Sequence, residues 1–516
     1  MKNALISVTD KTGIADFTGF LIQQGYRIYS TGGTARLLRE AGLAVTDIAD
    51  LTGFPEIMDG RVKTLHPKVF GGILANRDVS AHVAEADKHG IPLFDMVVVN
   101  LYAFAETVSR KDVTLAEAIE QIDIGGVTLI RAAAKNHKHV AVVTSPAQYA
   151  AIRGEIERNG ALSNETRYRL AVQAFATSAA YDAQIHNFFW QRAPEFEALP
   201  ERLVLPLEKI ADLRYGENPH QQAALYRHLL GGAGGVLSAK QLHGKALSYN
   251  NYMDADAAFQ IVRGFRQPAA VIIKHANPCG VAVARTLPEA YARALSTDRQ
   301  SAFGGIVGVN RELDADTARQ IADIFTEVVI APAFSEAALE ILRQKKNLRL
   351  LECPAISEPI LPEMEVRHLT GGLLLQDKDL RPDDDTKFDI VSRRKPTDQE
   401  WKDLLFGWRV VRWVKSNAIV YAKNEQTVGI GAGQMSRVDA SILAVEKARR
   451  AGLELNGSVV ASDAFFPFPD GVEAAAEAGA TAVIQPGGSI RDNEVIEAAD
   501  RAGLAMVFTH VRHFRH

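Results

Sequence analysis

Thiol chemistry is almost missing from this sequence: Cys279 and Cys353 are the only cysteines in 516 residues. Two thiols cannot supply a disulfide framework or a four-thiolate metal site. No uninterrupted apolar run approaches the ~18 residues that span a bilayer, so no membrane partner is expected. The opening Met1-Lys-Asn-Ala-Leu-Ile-Ser-Val passes straight into Thr-Asp-Lys-Thr-Gly without an apolar targeting core, and a cytoplasmic location is expected. An excess of positive charge is also missing. The 58 basic residues are outnumbered by 62 acidic ones, for a net charge of −4, so no basic field draws nucleic acid and any anionic ligand must be met by local cations. The 14 histidines fall in neither His-Glu-x-x-His nor His-x-x-Glu-His spacing.

What remains is the composition of a soluble globular enzyme, 47% apolar and 23% charged, long enough for three or four domain units. Over the first ~190 residues short β runs alternate with amphipathic helical patterns. Strands are expected at Asn3–Val8, Tyr26–Ser30 and Met96-Val-Val-Val-Asn100, helices at Lys11–Gln24, Thr34–Ala41 and Glu165–Trp190. This βαβ rhythm implies a parallel sheet covered on both faces. The Pro-containing segment Arg192–Pro200 reads as a linker, with a domain boundary near residue 198. Beyond it, Val271-Ile-Ile-Lys-His-Ala-Asn-Pro with Ser301-Ala-Phe-Gly-Gly resembles Ala418-Ile-Val-Tyr-Ala-Lys-Asn with Ser462-Asp-Ala-Phe-Phe, which suggests a duplicated pair of α/β lobes. Between the lobes Leu313–Arg343 reads as mostly helical.

Chemistry concentrates where strands end. In Ala269-Ala-Val-Ile-Ile-Lys-His-Ala-Asn-Pro-Cys-Gly280 a Lys and a His stand where a β-branched run meets an expected Asn-Pro turn. Neighbours in a strand face opposite ways, so Lys274 and His275 share a site only if the chain leaves the pleat there. Together they read as a base, His275, beside an oxyanion stabiliser, Lys274. The alternative is a solvated Lys next to a hydrogen-bonded His. Two earlier strand–helix junctions, Ser7-Val-Thr-Asp-Lys-Thr-Gly13 and Ser30-Thr-Gly-Gly-Thr34, carry the small residues of a phosphate cradle at helix N-termini. Neither fits the Walker or dinucleotide glycine pattern, so an ATP- or NAD-type ligand is not supported. Plain helix caps would use the same residues. Gly60-Arg-Val-Lys-Thr-Leu-His-Pro-Lys68 gathers cations between turn residues, Asn100-Leu-Tyr102 ends a Val-rich strand, and Gln121-Ile-Asp-Ile-Gly-Gly126 opens a helix carrying Arg131 and Lys135.

These strings, with Arg131-Ala-Ala-Ala-Lys-Asn-His137, Leu213-Arg-Tyr-Gly-Glu-Asn-Pro-His-Gln221 and Lys274-His-Ala-Asn-Pro-Cys-Gly280, closely resemble the bifunctional purine-biosynthesis family. That family joins an IMP cyclohydrolase to a 5-aminoimidazole-4-carboxamide ribonucleotide (AICAR) formyltransferase. The resemblance runs from Ser7 through Ser462-Asp-Ala-Phe-Phe-Pro-Phe468 to Phe508-Thr-His-Val-Arg512. It implies a methylglyoxal-synthase-like parallel-sheet domain over residues 1–198. It further implies a formyltransferase domain over residues 199–516, built from two cytidine-deaminase-like α/β lobes without zinc.

The activity so implied is formyl transfer from 10-formyltetrahydrofolate to AICAR, then dehydrative closure of the formamido derivative to IMP. Folate enters as a co-substrate, with no tightly bound organic cofactor and no catalytic metal, and the protein is expected to be a homodimer. For ring closure the resemblance implies Lys63, Tyr102, Asp123 and Lys135. Asp123 or a water hydrogen-bonded to it is suited to accept the amide proton, and the other three to stabilise or protonate the former formyl oxygen. Implied contacts to the substrate come from Ser7, Thr9, Lys11, Thr12, Ser30, Gly32, Gly33, Thr34, Arg61, Thr64, Asn100, Gly125 and Gly126. For formyl transfer it implies His275 as base, Lys274 as charge stabiliser and Asn417 as the residue that orients the formyl oxygen. Nucleotide contacts fall on Arg214, Tyr215, Arg437 and Arg512, Asp463 is a further substrate contact, and Phe303 and Phe465 are candidates to line the folate pocket, with core packing the alternative for either ring. Glu327 stands where the animal form has Asp. Pro278-Cys279 resembles a deaminase Pro-Cys, but the second Cys is replaced by Ala282, so Cys279 is expected to be a packed thiol. Two rivals stand beside this reading: a nucleotide-binding sensor that lost the chemistry, and a chain with one dead domain.

Overall fold

The computed structural model describes residues 2–110, 112–193, 199–229, 234–381 and 386–516. The expected boundary near residue 198 lies outside them. Two compact units emerge, Met1–Glu208 with Tyr226–Gly231, and Lys209–Leu225 with Gly232–His516.

In the first unit the described strands are β1 (Lys2–Ser7), β2 (Tyr26–Ser30), β3 (Thr46–Asp47), β4 (Met96–Val99) and β5 (Ala141–Val143). All pair in parallel, in the order β3-β2-β1-β4-β5. The wholly buried Met96-Val-Val-Val99 is a strand covered on both faces, as its unbroken apolar run predicts. Strands 2 and 3 are added on one side of β1 and strands 4 and 5 on the other. The order therefore reverses between β1 and β4, the place where an open parallel sheet leaves a crevice at its carboxyl edge. The helix Asn164–Trp190, capped by Ser163, closes the unit nearly as its periodicity predicts. Its buried Tyr181 accepts the Asp123 N–H at 2.9 Å and donates to the Gln121 carbonyl at 2.6 Å, which pins the turn before the Gly-Gly helix.

A two-stranded ribbon, β6 (Leu207–Leu213) and β7 (Ala223–His228), precedes the large sheet. The first lobe supplies β8 (Lys240–His243), β9 (Ala269–Lys274), β10 (Asn277–Val283), β11 (Gly305–Val309), β12 (Thr326–Ala331) and β13 (Arg349–Glu352). After a hairpin, β14 (Met364–Leu369) and β15 (Gly372–Asp377), the second lobe supplies β16 (Asp389–Ile390), β17 (Ile419–Lys423), β18 (Gln426–Gly431), β19 (Ser458–Ser462), β20 (Ala480–Gln485) and β21 (Ala505–Phe508). Among the described residues these twelve form one sheet, β16-β21-β20-β19-β17-β18-β10-β9-β11-β12-β13-β8. Read outward from the β10–β18 junction, the two halves list the same elements in the same order, so the duplication is real at the level of topology. Gly280 and Gly429 repeat as well, because a Cβ at either would lie 1.9 and 2.5 Å from the carbonyl oxygens of Ala294 and Ala444 on the helix packed above.

Two details of the expected duplication are corrected. The Lys ends of β9 and β17 correspond, but Ser301 lies on the short helix Arg299–Ala302 before β11, whereas Ser462 ends β19. The stretch Leu313–Arg343 is not an inter-lobe helical segment. Helices Ala315–Ala322 and Glu336–Leu342 flank β12 inside the first lobe, because Thr326-Glu-Val-Val-Ile-Ala331 is β-branched and buried.

The helix Asp398–Val411 leads toward the candidate site, and its start is fixed by one carboxylate. Glu400 accepts from the Thr397 N–H at 2.8 Å and from both ends of the Arg394 fork, at 2.9 and 2.6 Å. Burial opposes its charge, but the Arg394 fork and the Thr397 cap outweigh that and bring its pKa down to about 2. A carboxyl depressed on folding stabilises above its unfolded pKa, and the contribution is lost as pH falls from about 5 toward 2. Glu400→Gln is therefore expected to cost about 1–3 kcal/mol in urea unfolding at pH 7. The difference from the parental chain should shrink at pH 3.

Candidate functional site

The crevice of the first unit is a cleft of about 640 Å³ at the reversal point of its sheet. Ser7, Val8, Thr9 and Lys11 reach it from the end of β1, Thr31, Gly33 and Thr34 from β2, and Asn100 and Tyr102 from β4. The Gly60–Thr64 loop and the turn Ile122–Gly126 complete the walls.

Helix Gly32–Glu40 aims its N-terminus into the cleft. Its N-cap, Thr31, makes no side-chain capping bond, so the first-turn amides are left for another acceptor. Two ammonium groups and one carboxylate flank them: Lys63 Nζ and Lys11 Nζ each lie 4.0 Å from where a Cβ would stand on Gly32 and Gly33, and Glu56 Oε2 lies 3.8 Å from the Gly32 point. Burial, then the neighbouring Lys63, lower the pKa of Lys11. Open helix amides with two cations at one spot make an anion-binding corner.

Across the cleft, Asp123 is buried and its Oδ1 accepts the Gly126 N–H at 2.6 Å. A Cβ at Gly126 would lie 2.4 Å from Asp123 Oδ2, so the carboxylate can sit here only over glycine. Burial pushes the Asp123 carboxyl above its ordinary pKa, against the pull of the Gly126 amide, Lys63 and the Tyr102 amide. A carboxylate with a raised pKa thus faces a cation and a phenol-bearing strand end, which suits proton transfer to and from a bound ligand. Arg61 also lines the cleft and pairs with Glu120.

Several expected contacts are placed elsewhere. Ser30 is fully buried and spends its hydroxyl on the Ile6 carbonyl at 2.7 Å, so it ties β2 to β1 and is not free for a ligand. Thr34 lines the cleft, yet its hydroxyl donates to the Val8 carbonyl at 3.0 Å. Asn100 likewise uses its side chain to hold the loop after β1, accepting from Thr9 and Asp10 N–H at 2.6 and 3.0 Å. Thr12 is exposed outside the lining, and so is Lys135. Lys135 ends the helix that begins at Gly125, and ten residues of rise carry it about 15 Å from the Asp123 turn.

In the second unit, β9 and β10 form a hairpin whose two-residue turn is His275-Ala276, both left-handed with φ of 53° and 58°. The chain does leave the pleat at His275, but not by an Asn-Pro turn: Asn277 and Pro278 already belong to β10 and pair with Lys274 and Ile273. Lys274 Nζ donates to the Phe303 and Gly304 carbonyls at 2.9 and 3.2 Å, which leaves one of its three protons for a ligand. Asn277 Oδ1 accepts the Lys415 N–H at 3.0 Å, and so brings the Lys415-Ser416-Asn417 loop to the hairpin. Asn417 Nδ2 donates to the Gln434 and Met435 carbonyls at 2.9 and 3.1 Å. Both its amide protons are thereby spent, so Asn417 offers a ligand an acceptor, which does not suit the expected role of orienting a formyl oxygen.

Next to Asn417, Ser416 Oγ bonds the fully buried Asp463, which pairs with Arg437 at 3.1 Å, so the expectation that Asp463 touches substrate is corrected: its carboxylate is spent on holding Ser416 and Arg437. Arg437 Nε is buried without a partner among the described residues, and burial lowers this guanidinium's pKa against the pull of Asp463. Phe514 lies under both Arg437 and Arg512, at 5.7 and 4.3 Å. Phe303 is 61% exposed and touches Phe325, so it is a surface ring and not core, while Phe465 is half-buried. Arg214 sits over the ring of Tyr215 on the loop after β6. Glu327 accepts from Asn251 at 3.0 Å and pairs with Arg349 at 3.5 Å. Cys279 is buried and its thiol is pushed up to about 12 by burial, so it stays protonated at neutral pH, as a packed thiol does. Among the described residues no group of three or more His, Cys, Asp or Glu side chains converges as metal ligands.

Thr31, Gly60 and Glu120 in the first cleft, and Ser416 in the second unit, are not among the expected site residues. Thr31 and Gly60 lie inside strings already singled out. Glu120 ends an ordinary capped helix and carries no signal of its own.

Residues 13–128 match the model of the MGS-like domain, and residues 133–447 match that of the AICARFT/IMPCHase bienzyme. Among solved structures, the chain is similar to one described as the crystal structure of ForH, at 38% identity over 37% of this chain and 97% of that one, with a TM-score of 0.34. With its strand-end chemistry in both units, and with the bienzyme model matched over more than half its length, this chain belongs to the AICARFT/IMPCHase family.

Proposed function

We propose that the first unit closes the purine ring and the second transfers the formyl group, with residues 1–198 and 199–516 as the two functional domains. The family performs the last two steps of IMP synthesis, formyl transfer to AICAR with formyltetrahydrofolate as co-substrate and then cyclohydrolysis. No helix among the described residues is long and apolar enough to cross a membrane. The observation that carries the assignment is the cleft in which Asp123, Lys63 and Tyr102 face an anion-binding helix end.

In that cleft the 5′-phosphate of the formamido derivative of AICAR lies against the amides of Gly32 and Gly33, with Lys11 beside it. The carboxamide nitrogen is tethered next to the formyl carbon it attacks, so the substrate itself supplies proximity. Asp123 takes the amide proton as the ring closes. Lys63 and Tyr102 stabilise and protonate the former formyl oxygen, and as the C–O bond breaks and water leaves, the formamido nitrogen gives up its proton to form the ring C=N bond. In the second unit the weakly basic aromatic amine of AICAR attacks the formyl carbon of 10-formyltetrahydrofolate. His275 removes its proton, Lys274 stabilises the carbonyl oxygen, the formyl C–N10 bond breaks as a proton passes to N10 of the departing tetrahydrofolate, and the Asn417 oxygen holds a donor on the substrate. Arg437 is held by Asp463 where its fork can grip phosphate, with Arg214, Tyr215 and Arg512 as further nucleotide contacts. Phe303 and Phe465 flank the folate. Each step is ordinary proton transfer and charge stabilisation, so the reading needs no metal and no resident cofactor. A cytoplasmic homodimer completes it.

The test is the product formed from AICAR and 10-formyltetrahydrofolate by one purified sample, with each half-reaction also assayed alone. IMP is expected. A protein that binds nucleotide and turns over neither substrate would be a sensor, and one that completes a single half-reaction would have a dead domain.

A further inference from the structure

We infer that Asp254 is a positioning residue for formyl transfer, whose carboxylate fastens the His275-Ala276 turn so that Lys274 and His275 stand at one end of the β9–β10 hairpin. The inference rests on the proposed roles of those two residues. Asp254 lies on helix Tyr249–Val262, started by a capping box at Ser248, and its Oδ1 accepts the Ala276 N–H at 2.6 Å. Ala276 has φ of 58°, a left-handed conformation that a residue with a Cβ adopts reluctantly and that Ala has no side-chain polarity to support. A side-chain oxygen that accepts the amide at this point favours the turn over extended alternatives that would send Lys274 and His275 to opposite faces.

The duplicated lobe supplies an independent observation. The turn Asn424-Glu425 between β17 and β18 is also left-handed at both residues, with φ of 53° and 56°. Asp403, on helix Asp398–Val411 of the second lobe, accepts both of its N–H groups, at 2.9 and 2.6 Å. A helix carboxylate clasping the amides of this two-residue turn thus recurs where no Lys–His pair follows the strand, so the clasp is a device of the lobe. In the first lobe the device carries the reacting pair. Burial pushes the Asp254 carboxyl up in pKa, opposed first by the Ala276 amide and then by the neighbouring His275 and Lys274.

The test compares Asp254→Ala, Asp254→Asn and His275→Ala in the full chain by steady-state formyl transfer with both substrates varied. A misplacement of the order of 1 Å costs about 10²-fold, so Asp254→Ala should lower kcat by that factor while KM for AICAR stays within about threefold. Asp254→Asn keeps an oxygen that accepts the same N–H, so its kcat should stay within about fivefold of parental. A loss in Asp254→Ala of less than about tenfold, a loss carried by KM, or an Asn variant as impaired as the Ala variant would each overturn the inference. If Asp254→Ala yields no folded protein, the Asn variant decides alone, and a loss beyond about fivefold overturns it. Full transfer by His275→Ala would instead overturn the underlying reading of the site, whatever Asp254 does.

Discussion

A folded His275→Ala protein is expected to lose formyl transfer by about two to four orders of magnitude, the range for a missing general acid–base group, with a smaller change in nucleotide affinity. The nucleophile in this reaction is an aromatic amine, which cannot keep its proton as it bonds to the formyl carbon. His275 occupies the first position of a two-residue turn at the end of β9, where the backbone leaves the pleat and an imidazole can share a site with the preceding Lys274. Lys274 cannot take over as base while two of its protons are held by the Phe303 and Gly304 carbonyls and the third is needed for the developing charge. Cyclisation of supplied formamido intermediate should continue at the parental rate, since none of its proposed residues is in this unit. Near-parental transfer by the folded variant would remove His275 from the mechanism and leave a water or the substrate phosphate to take the proton.

How much of this was legible in the sequence depends on the distance over which each feature is encoded. Strands such as Met96–Val99 and the helix Asn164–Trp190 declare themselves in one window of residues, and both appear within a residue or two of the expected bounds. The ends of the parallel strands were likewise readable, because Gly and hydroxyl residues there have few other uses. Which way a side chain turns at such an end was not. Ser30 and Gly33 belong to the same string, yet Ser30 bonds inward to Ile6 while Gly33 borders the cleft. Lys135 was attractive for its motif, but a helix of eleven residues carries its last residue well away from its first. The Asp254 clasp was invisible for a different reason. An Asp among helix residues reads as a solvated acid until a turn 22 positions later folds back onto it. Pairing of this kind is long-range information, and residue spacing along the chain does not hold it.

Asp123→Asn and Lys63→Ala are each expected to stop ring closure, by about two orders of magnitude or more, with formyl transfer intact, so that the formamido intermediate accumulates when both substrates are supplied. Asparagine keeps the oxygen that accepts the Gly126 N–H and fits over the same glycine, so the Asp123→Asn cleft should hold its shape. It cannot take a proton. Stability separates this from misfolding. Because burial raises the Asp123 carboxyl on folding, holding it as an anion costs the folded state above the unfolded carboxyl pKa of about 3.9. Removing that charge should leave the midpoint of urea unfolding at pH 7 equal or higher, while the parental chain gains relative stability as the pH falls and the group is protonated. The same shift sets the pH profile of catalysis. A base with a raised pKa is lost on acidification earlier than an ordinary carboxylate, so the acid limb of cyclisation in the parental enzyme should lie above about 4. Lys63 pulls the Asp123 pKa down, so any residual cyclisation in Lys63→Ala should show that limb displaced to higher pH. A limb at or below the ordinary carboxylate range, with Asp123→Asn still cyclising, would take the proton away from Asp123 and assign it to another group in the cleft.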